Sequence, residues 1–322
     1  MAFENVTVPA MTPSPADFRR AIADDARFST WLAPDGWAHR RFDWPVATTP
    51  RGRILVQGGR ADTAEKYFET IAHLHARGWS VTTVDWRGQG GSGRLAADPH
   101  VGHADDFGVF VQDLADFWRA WRQEGAGPVM LLAHSMGGHI VLRALAHRVI
   151  DPDAVVLVAP MVGIRSPLGA WLGERVARLM TRIGDPARPA WKVRPDQRSA
   201  GHRQRLLTHD VDRFADEAWW YARKPELLLG PPSWAWVLEA FRSGRRLSAD
   251  PRIATIAQPI LMLVAEADGL VDPQAALALA ARLPDATVVR FGDEAAHELL
   301  RESDPVRTRV YAVIDQFLDA HR

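Results

Sequence analysis

Residues 129–138 read VMLLAHSMGG. The apolar residues at the start are continuous rather than alternating, which suits a strand buried on both faces of a sheet. They run straight into Ala133-His134-Ser135-Met136-Gly137, and helical spacing follows at once over residues 138–148. Placing Ser135 on so sharp a strand-to-helix turn forces its backbone into a strained conformation, so its neighbours must be small, and Ala133, Gly137 and Gly138 are. The turn lifts the hydroxyl above the sheet, at a helix N-terminus whose dipole favours developing negative charge. A serine in an isolated S-x-G is more often only a helix cap. Here strand, turn and helix come in the order that a nucleophile elbow, G-x-S-x-G with Ala133 in the first glycine position, requires.

Outward from this segment, strand-like runs stand at residues 53–57, 80–85, 153–159, 259–265 and 287–291. Helical spacing covers residues 62–76, 104–122, 234–241, 274–283 and 305–320. Strands alternating with helices predict a mostly parallel sheet covered on both faces. The rhythm lapses between about Met161 and Gly230, a stretch rich in Arg, Pro and Trp, too long for a loop in a compact domain. These patterns assign residues 1–35 to an irregular N-terminal arm with a short helix near 16–26. Residues 36–161 and 231–322 form an α/β core that opens on an antiparallel strand at 37–44, and residues 162–230 form an inserted, mainly helical cap.

Composition removes several classes of function. The 322 residues carry 39 Lys+Arg against 39 Asp+Glu, so no overall positive field exists to hold nucleic acid. Cysteine is absent, which excludes disulfides, thiolate metal sites and a cysteine nucleophile. The start, Met1-Ala2-Phe3-Glu4-Asn5, shows no basic segment followed by an apolar one, and no apolar run approaches the roughly 20 residues of a membrane helix. A soluble, cytoplasmic protein is the expectation.

Further segments, taken in order, resemble the α/β-hydrolase fold and, within it, the monoacylglycerol lipase and lysophospholipase group of serine hydrolases. They are Gly58-Gly59-Arg60 with Glu65-Lys66-Tyr67, then Asp85-Trp86-Arg87-Gly88-Gln89-Gly90-Gly91-Ser92, the elbow itself, and Leu207-Thr208-x-Asp210. The likeness covers about residues 40–322. One departure is Gly58, which stands where the group often has histidine.

The resemblance implies an oxyanion hole of two backbone N–H groups, those of Met136 and Arg60, and a triad in the chain order Ser, acid, His. The strand at 259–265 ends in Glu266-Ala267-Asp268, which makes Asp268 the acid, with Asp272 in reserve; the preceding strand ends without a carboxylate. His297, between the last strand and the last helix, is the base. His134 is set aside because adjacent side chains at an elbow point apart, and His73, His75 and His147 because their helices are predicted to face them away. The implied chemistry is hydrolysis of a carboxylic ester through an acyl-enzyme, with no metal or organic cofactor and with a monoacyl lipid as substrate. Small esters are the alternative substrate, and a non-catalytic binding protein the alternative role. Oligomeric state is not legible.

Two features compete with or extend this reading. Gly88-Gln89-Gly90-Gly91-Ser92-Gly93 matches a dinucleotide-binding G-x-G-x-x-G, but Arg94–His100 after it is turn-like where that motif needs a helix. The glycines are instead expected to let the loop pass close to the elbow. Of 13 tryptophans, Trp171, Trp191, Trp219, Trp220, Trp234 and Trp236 fall in or beside the insert, where they suit either an acyl-chain tunnel or the insert's own small core. Residues 171–183, WLGERVARLMTRI, form an amphipathic basic stretch. It suits transient contact with lipid headgroups or, more blandly, a solvated arginine face.

Overall fold

A computed structural model describes residues 14–47, 49–167, 169–192 and 197–322. Its centre is an eight-stranded sheet. In chain order the strands are β1 Arg27–Leu32, β2 Ala38–Trp44, β3 Gly52–Gln57, β4 Trp79–Val84, β5 Val129–His134, β6 Ala154–Val158, β7 Ile260–Ala265 and β8 Ala286–Phe291. They lie side by side as β1-β2-β4-β3-β5-β6-β7-β8. β1 and β2 run antiparallel to their neighbours, and all pairings from β4 to β8 are parallel.

The strand sequences explain the layering. Side chains alternate across a strand, so in β5 Leu131 faces one core while Met130 and Leu132 face the other. Helices α2 Gly108–Arg122, α3 Met136–Ala146 and α8 Pro273–Ala280 cover the Leu131 face; α1 Phe68–Ala76 and α9 Asp304–Ala320 cover the opposite one. Every residue of β3, β5, β6 and β7 is buried, which is why these runs read as continuous apolar stretches. No described helix is long and apolar enough to cross a membrane.

Between β6 and β7 the chain forms α4 Gly169–Arg182, α5 Gln197–Leu207 and α6 Val211–Arg223 before α7 Trp234–Ala249 returns to the sheet. α4 packs on α7 through Ala177, Leu238 and Phe241, where Gly173 has no Cβ to strike the Phe241 ring. α6 clamps the N-terminal segment: Asp216 accepts from Arg19 Nε and Arg20 Nε, each at 2.7 Å, and Trp220 Nε1 donates to the Arg19 carbonyl at 3.0 Å.

Three expectations need correction here. The helix expected near 16–26 is a short 3-10 turn, Pro15–Arg20. Residues 27–32, expected within an irregular arm, form edge strand β1; only Phe28 and Trp31 are partly covered, so the run lacks the composition of a core strand. α7 continues past residue 241 to Ala249, because its buried face runs on through Ser243 and Gly244, which hide the apolar period. Residues 1–13 of the expected arm lie outside the described residues.

Leu131 is fully buried in the central strand, so Leu131→Ala is expected to cost about 3 kcal/mol. Urea unfolding checks this: the midpoint should fall with its slope unchanged, and a variant as stable as the parent would contradict the packing.

Candidate active site

Ser135 links β5 to α3 with φ 52° and ψ −117°, in the half of backbone space that side-chain-bearing residues avoid. Hydrogen bonds hold it there. The Ser135 amide donates to the Val158 carbonyl at 3.0 Å, and the Ser135 carbonyl accepts from the Met161 amide at 3.0 Å and the His139 amide at 3.2 Å. A Cβ at Gly137 would sit 2.5 Å from the Gly58 carbonyl oxygen and 2.7 Å from that of Gln57. Only glycine lets the start of α3 come this close to the end of β3.

His297 arrives from the loop after β8 and Asp268 from the end of β7. The structure brings both to Ser135. His297 Nε2 lies 2.9 Å from Ser135 Oγ, and His297 Nδ1 lies 2.6 Å from Asp268 Oδ2. Asp268 Oδ1 accepts from the amides of Leu270 at 2.7 Å and Val271 at 3.0 Å, so the carboxylate is fixed on both oxygens. All three residues are buried. Asp272, the reserve acid, instead caps α8, accepting from the Gln274 amide at 3.0 Å.

The electrostatics suit a carboxylate–imidazole pair. Burial opposes the charge of Asp268, but His297 and the two amides outweigh it and hold the carboxyl below its ordinary range. Burial likewise opposes a charged His297, yet Asp268 overrides it, with Glu298 and Asp62 adding to the effect, and the imidazole's proton affinity is raised.

The loop after β3 carries Arg60 close to the elbow. Asp62 folds it back, accepting from the Gly59 amide at 2.6 Å and from Tyr67 Oη at 2.5 Å, while Trp86 Nε1 donates to the Gly58 carbonyl at 2.7 Å. A Cβ at Gly59 would lie 2.9 Å from Ser135 Cβ. Among the described residues the amides of Arg60 and Met136 donate to no protein acceptor. The Arg60 side chain runs to the Gly230 carbonyl, 2.9 Å away, over the Trp236 ring. Burial lowers its guanidinium to about 10, and it makes no ion pair with a described carboxylate.

Other histidines have different employment. His134 sits beside His297 with ring centroids 4.8 Å apart, but its Nε2 meets the His297 carbonyl at 3.2 Å and its Nδ1 faces Tyr67 and Asp62. His139 is buried behind the elbow between the Met161 carbonyl and Ser243. His73 pairs with Asp315, and His75 stacks on Trp44. Among the described residues no group of three or more His, Asp or Glu is arranged to hold a metal.

The G-x-G-x-x-G match is a turn with no helix before Gly108, and its glycines do not touch the elbow as expected. A Cβ at Gly90, where φ is 51°, would collide with the Asp85 carboxylate, and one at Gly91 with Arg40. Asp85 accepts from the Gly91 amide at 2.9 Å and from Arg40 Nε at 2.7 Å, so the motif builds a loop around its own aspartate. Leu207-Thr208-x-Asp210 also has a structural task that sequence did not show. Asp210 caps α6, Thr208 Oγ1 donates to the Arg301 carbonyl at 2.8 Å, and the Leu207 carbonyl accepts from the Glu298 amide at 2.7 Å.

Residues 48–304 match the model of the Hydrolase_4 family, described as serine aminopeptidase, S33. The chain belongs to the Hydrolase_4 family. The chain is 33% identical over 280 residues to lysophospholipase L2 of Escherichia coli, covering 82% of this chain and 79% of that one. It is 30% identical over 290 residues to a probable lysophospholipase L2 of Haemophilus influenzae, covering 88% of each. A soluble variant of monoglyceride lipase from Saccharomyces cerevisiae superposes with a TM-score of 0.72 at 19% identity, over 94% of this chain and 98% of that one. That likeness shows the α/β-hydrolase fold.

His297 is expected to keep its proton to higher pH than a free histidine, whose value is about 6.5. Titration of the imidazole resonances by NMR checks this; a His297 midpoint below that of an exposed histidine would contradict the assignment of its surroundings.

Proposed function

We propose that this Hydrolase_4 member cleaves carboxylic esters of monoacyl lipids through an acyl-enzyme on Ser135. The observation that carries the reading is the buried relay from Asp268 through His297 to a hydroxyl on a strained turn. His297 takes the Ser135 proton as Oγ attacks the acyl carbonyl. The amides of Arg60 and Met136 receive the oxyanion, and donors fixed in this way are typically worth about 3 kcal/mol each in the transition state. Asp268 holds the imidazole in the tautomer that presents Nε2 and stabilises the imidazolium. The proton passes to the leaving alcohol, and water, deprotonated by His297, then releases the acid.

The two lysophospholipase L2 relatives named above each match more than four fifths of this chain, at 33% and 30% identity. The Arg60 guanidinium favours the phosphate-bearing member of the lipid class. It begins at the oxyanion loop, is partly buried, and forms no ion pair with a carboxylate among the described residues, a counter-charge that a phosphodiester would supply.

The insert supplies a surface suited to lipid. On and after α4, Trp171, Leu179, Ile183 and Trp191 are all more than half exposed. Arg175, Arg178 and Arg182 lie among them, and Arg175 stacks over Trp171. An apolar stripe flanked by arginines fits transient contact with an anionic membrane surface.

Ser135→Ala is expected to lower turnover of aryl esters by roughly four orders of magnitude or more while leaving the fold intact. Among esters of graded chain length, octanoyl and longer should be preferred over acetyl. Turnover that survives the substitution would refute the nucleophile, and a preference for acetyl would refute the lipid class. On vesicles rich in anionic lipid, the double variant Trp171→Ser, Leu179→Ser should cosediment less than the parent; equal sedimentation would remove α4 from the contact.

A further inference from the structure

Lys66 is one of three lysines in the chain, and it is buried among three carboxylates. Its Nζ lies 2.5 Å from Asp62 Oδ1, 3.0 Å from Glu217 Oε1 and 2.5 Å from Glu298 Oε1. Each carboxylate belongs to a different part of the site. Asp62 folds the loop that presents the Arg60 amide, Glu298 follows His297, and Glu217 stands on α6 of the insert.

The cluster is balanced. Asp62, Glu217 and Glu298 face Lys66, Arg203 and Arg301, with Arg301 Nη1 2.7 Å from Glu298 and Arg203 Nη2 2.8 Å from Glu217. Buried charges are tolerated only when paired in this way. Among the described residues Lys66 is the one lysine or arginine that touches all three acids, and so the one that joins the oxyanion loop to the histidine loop.

We propose that Lys66 is a positioning residue, which locks the Arg60 loop, the His297 loop and α6 into one register and cancels the Asp62 and Glu298 charges at the imidazole. This rests on the hydrolase reading given above. His297 faces Asp268 from the loop after β7, His134 from β5, Asp62 from the segment after β3, and Glu298 from its own loop, with Tyr67 behind them against Asp62 and His134. Behind these stand Glu217 and Arg203 from the insert, Arg301 and Glu302 from the turn before α9, and Arg60. Within this set, losing the Lys66 charge leaves Asp62 without its cation and Glu298 with Arg301 alone, a net negative charge beside the imidazole. Losing the Glu298 charge does the reverse.

Two variants therefore separate an electrostatic role from a merely structural one. In Lys66→Met the His297 titration midpoint, followed by NMR, should rise by roughly one pH unit. In Glu298→Gln, which is nearly isosteric, it should fall. In Lys66→Met, kcat on an octanoyl aryl ester should drop by more than KM changes, since the misplaced groups act in the transition state. Midpoints that stay in place, or that move in the same direction in both variants, would overturn the proposal. Should Lys66→Met fail to fold, the rise in the His297 midpoint is read in Lys66→Gln instead, and a midpoint that does not rise there overturns the proposal. The NMR midpoint does not depend on turnover, so an inactive parent enzyme would strike at the hydrolase reading and leave Lys66 to be judged separately.

Discussion

The close approach of α3 to the end of β3 governs this site. With no Cβ at Gly137, the first turn of the helix rests against the carbonyls of Gln57 and Gly58, and Ser135 is held at a positive φ. The same elbow lies against the loop after β3, where a Cβ at Gly59 would sit 2.9 Å from Ser135 Cβ, and it presents the Ser135 hydroxyl 2.9 Å from His297 Nε2. A larger residue at position 137 would push the helix away and disturb both approaches. The strain at Ser135 is carried by the bonds of its amide to Val158 and of its carbonyl to Met161 and His139.

The rest of the machinery is electrostatic and reaches the elbow from the other end of the chain. Asp268 and His297 sit on loops after β7 and β8, and the insert takes part in holding the second of these. The Leu206 and Leu207 carbonyls accept from the His297 and Glu298 amides, while Thr208 reaches Arg301. The insert's backbone is part of what keeps the histidine loop in place, so its docking and the geometry of the relay are mechanically linked.

Much of this was legible in the residues. Continuous apolar strands, an elbow of small residues, and a carboxylate and a histidine at later strand ends each leave a local signature, and the structure brings Ser135, Asp268 and His297 together. What escaped was written in a different form. β1 is an exposed edge strand without a core composition, and the buried face of α7 runs through Ser243 and Gly244 rather than large apolar residues. The Lys66 cluster gathers residues as far apart in sequence as Asp62, Glu217 and Glu298, and no periodicity announces an ion pair closed by tertiary contact. The glycine-rich loop misled in its detail, because its glycines make room for Asp85 and Arg40 instead of for the elbow.

One serine among many, Ser135, is proposed to be made nucleophilic by its place in the relay. Treatment of the folded protein with a fluorophosphonate probe, followed by mass analysis of its peptides, tests this directly. The account predicts a single covalent adduct on the peptide containing Ser135, abolished when His297 is replaced by alanine. An unlabelled protein, or an adduct on a different serine, would contradict it.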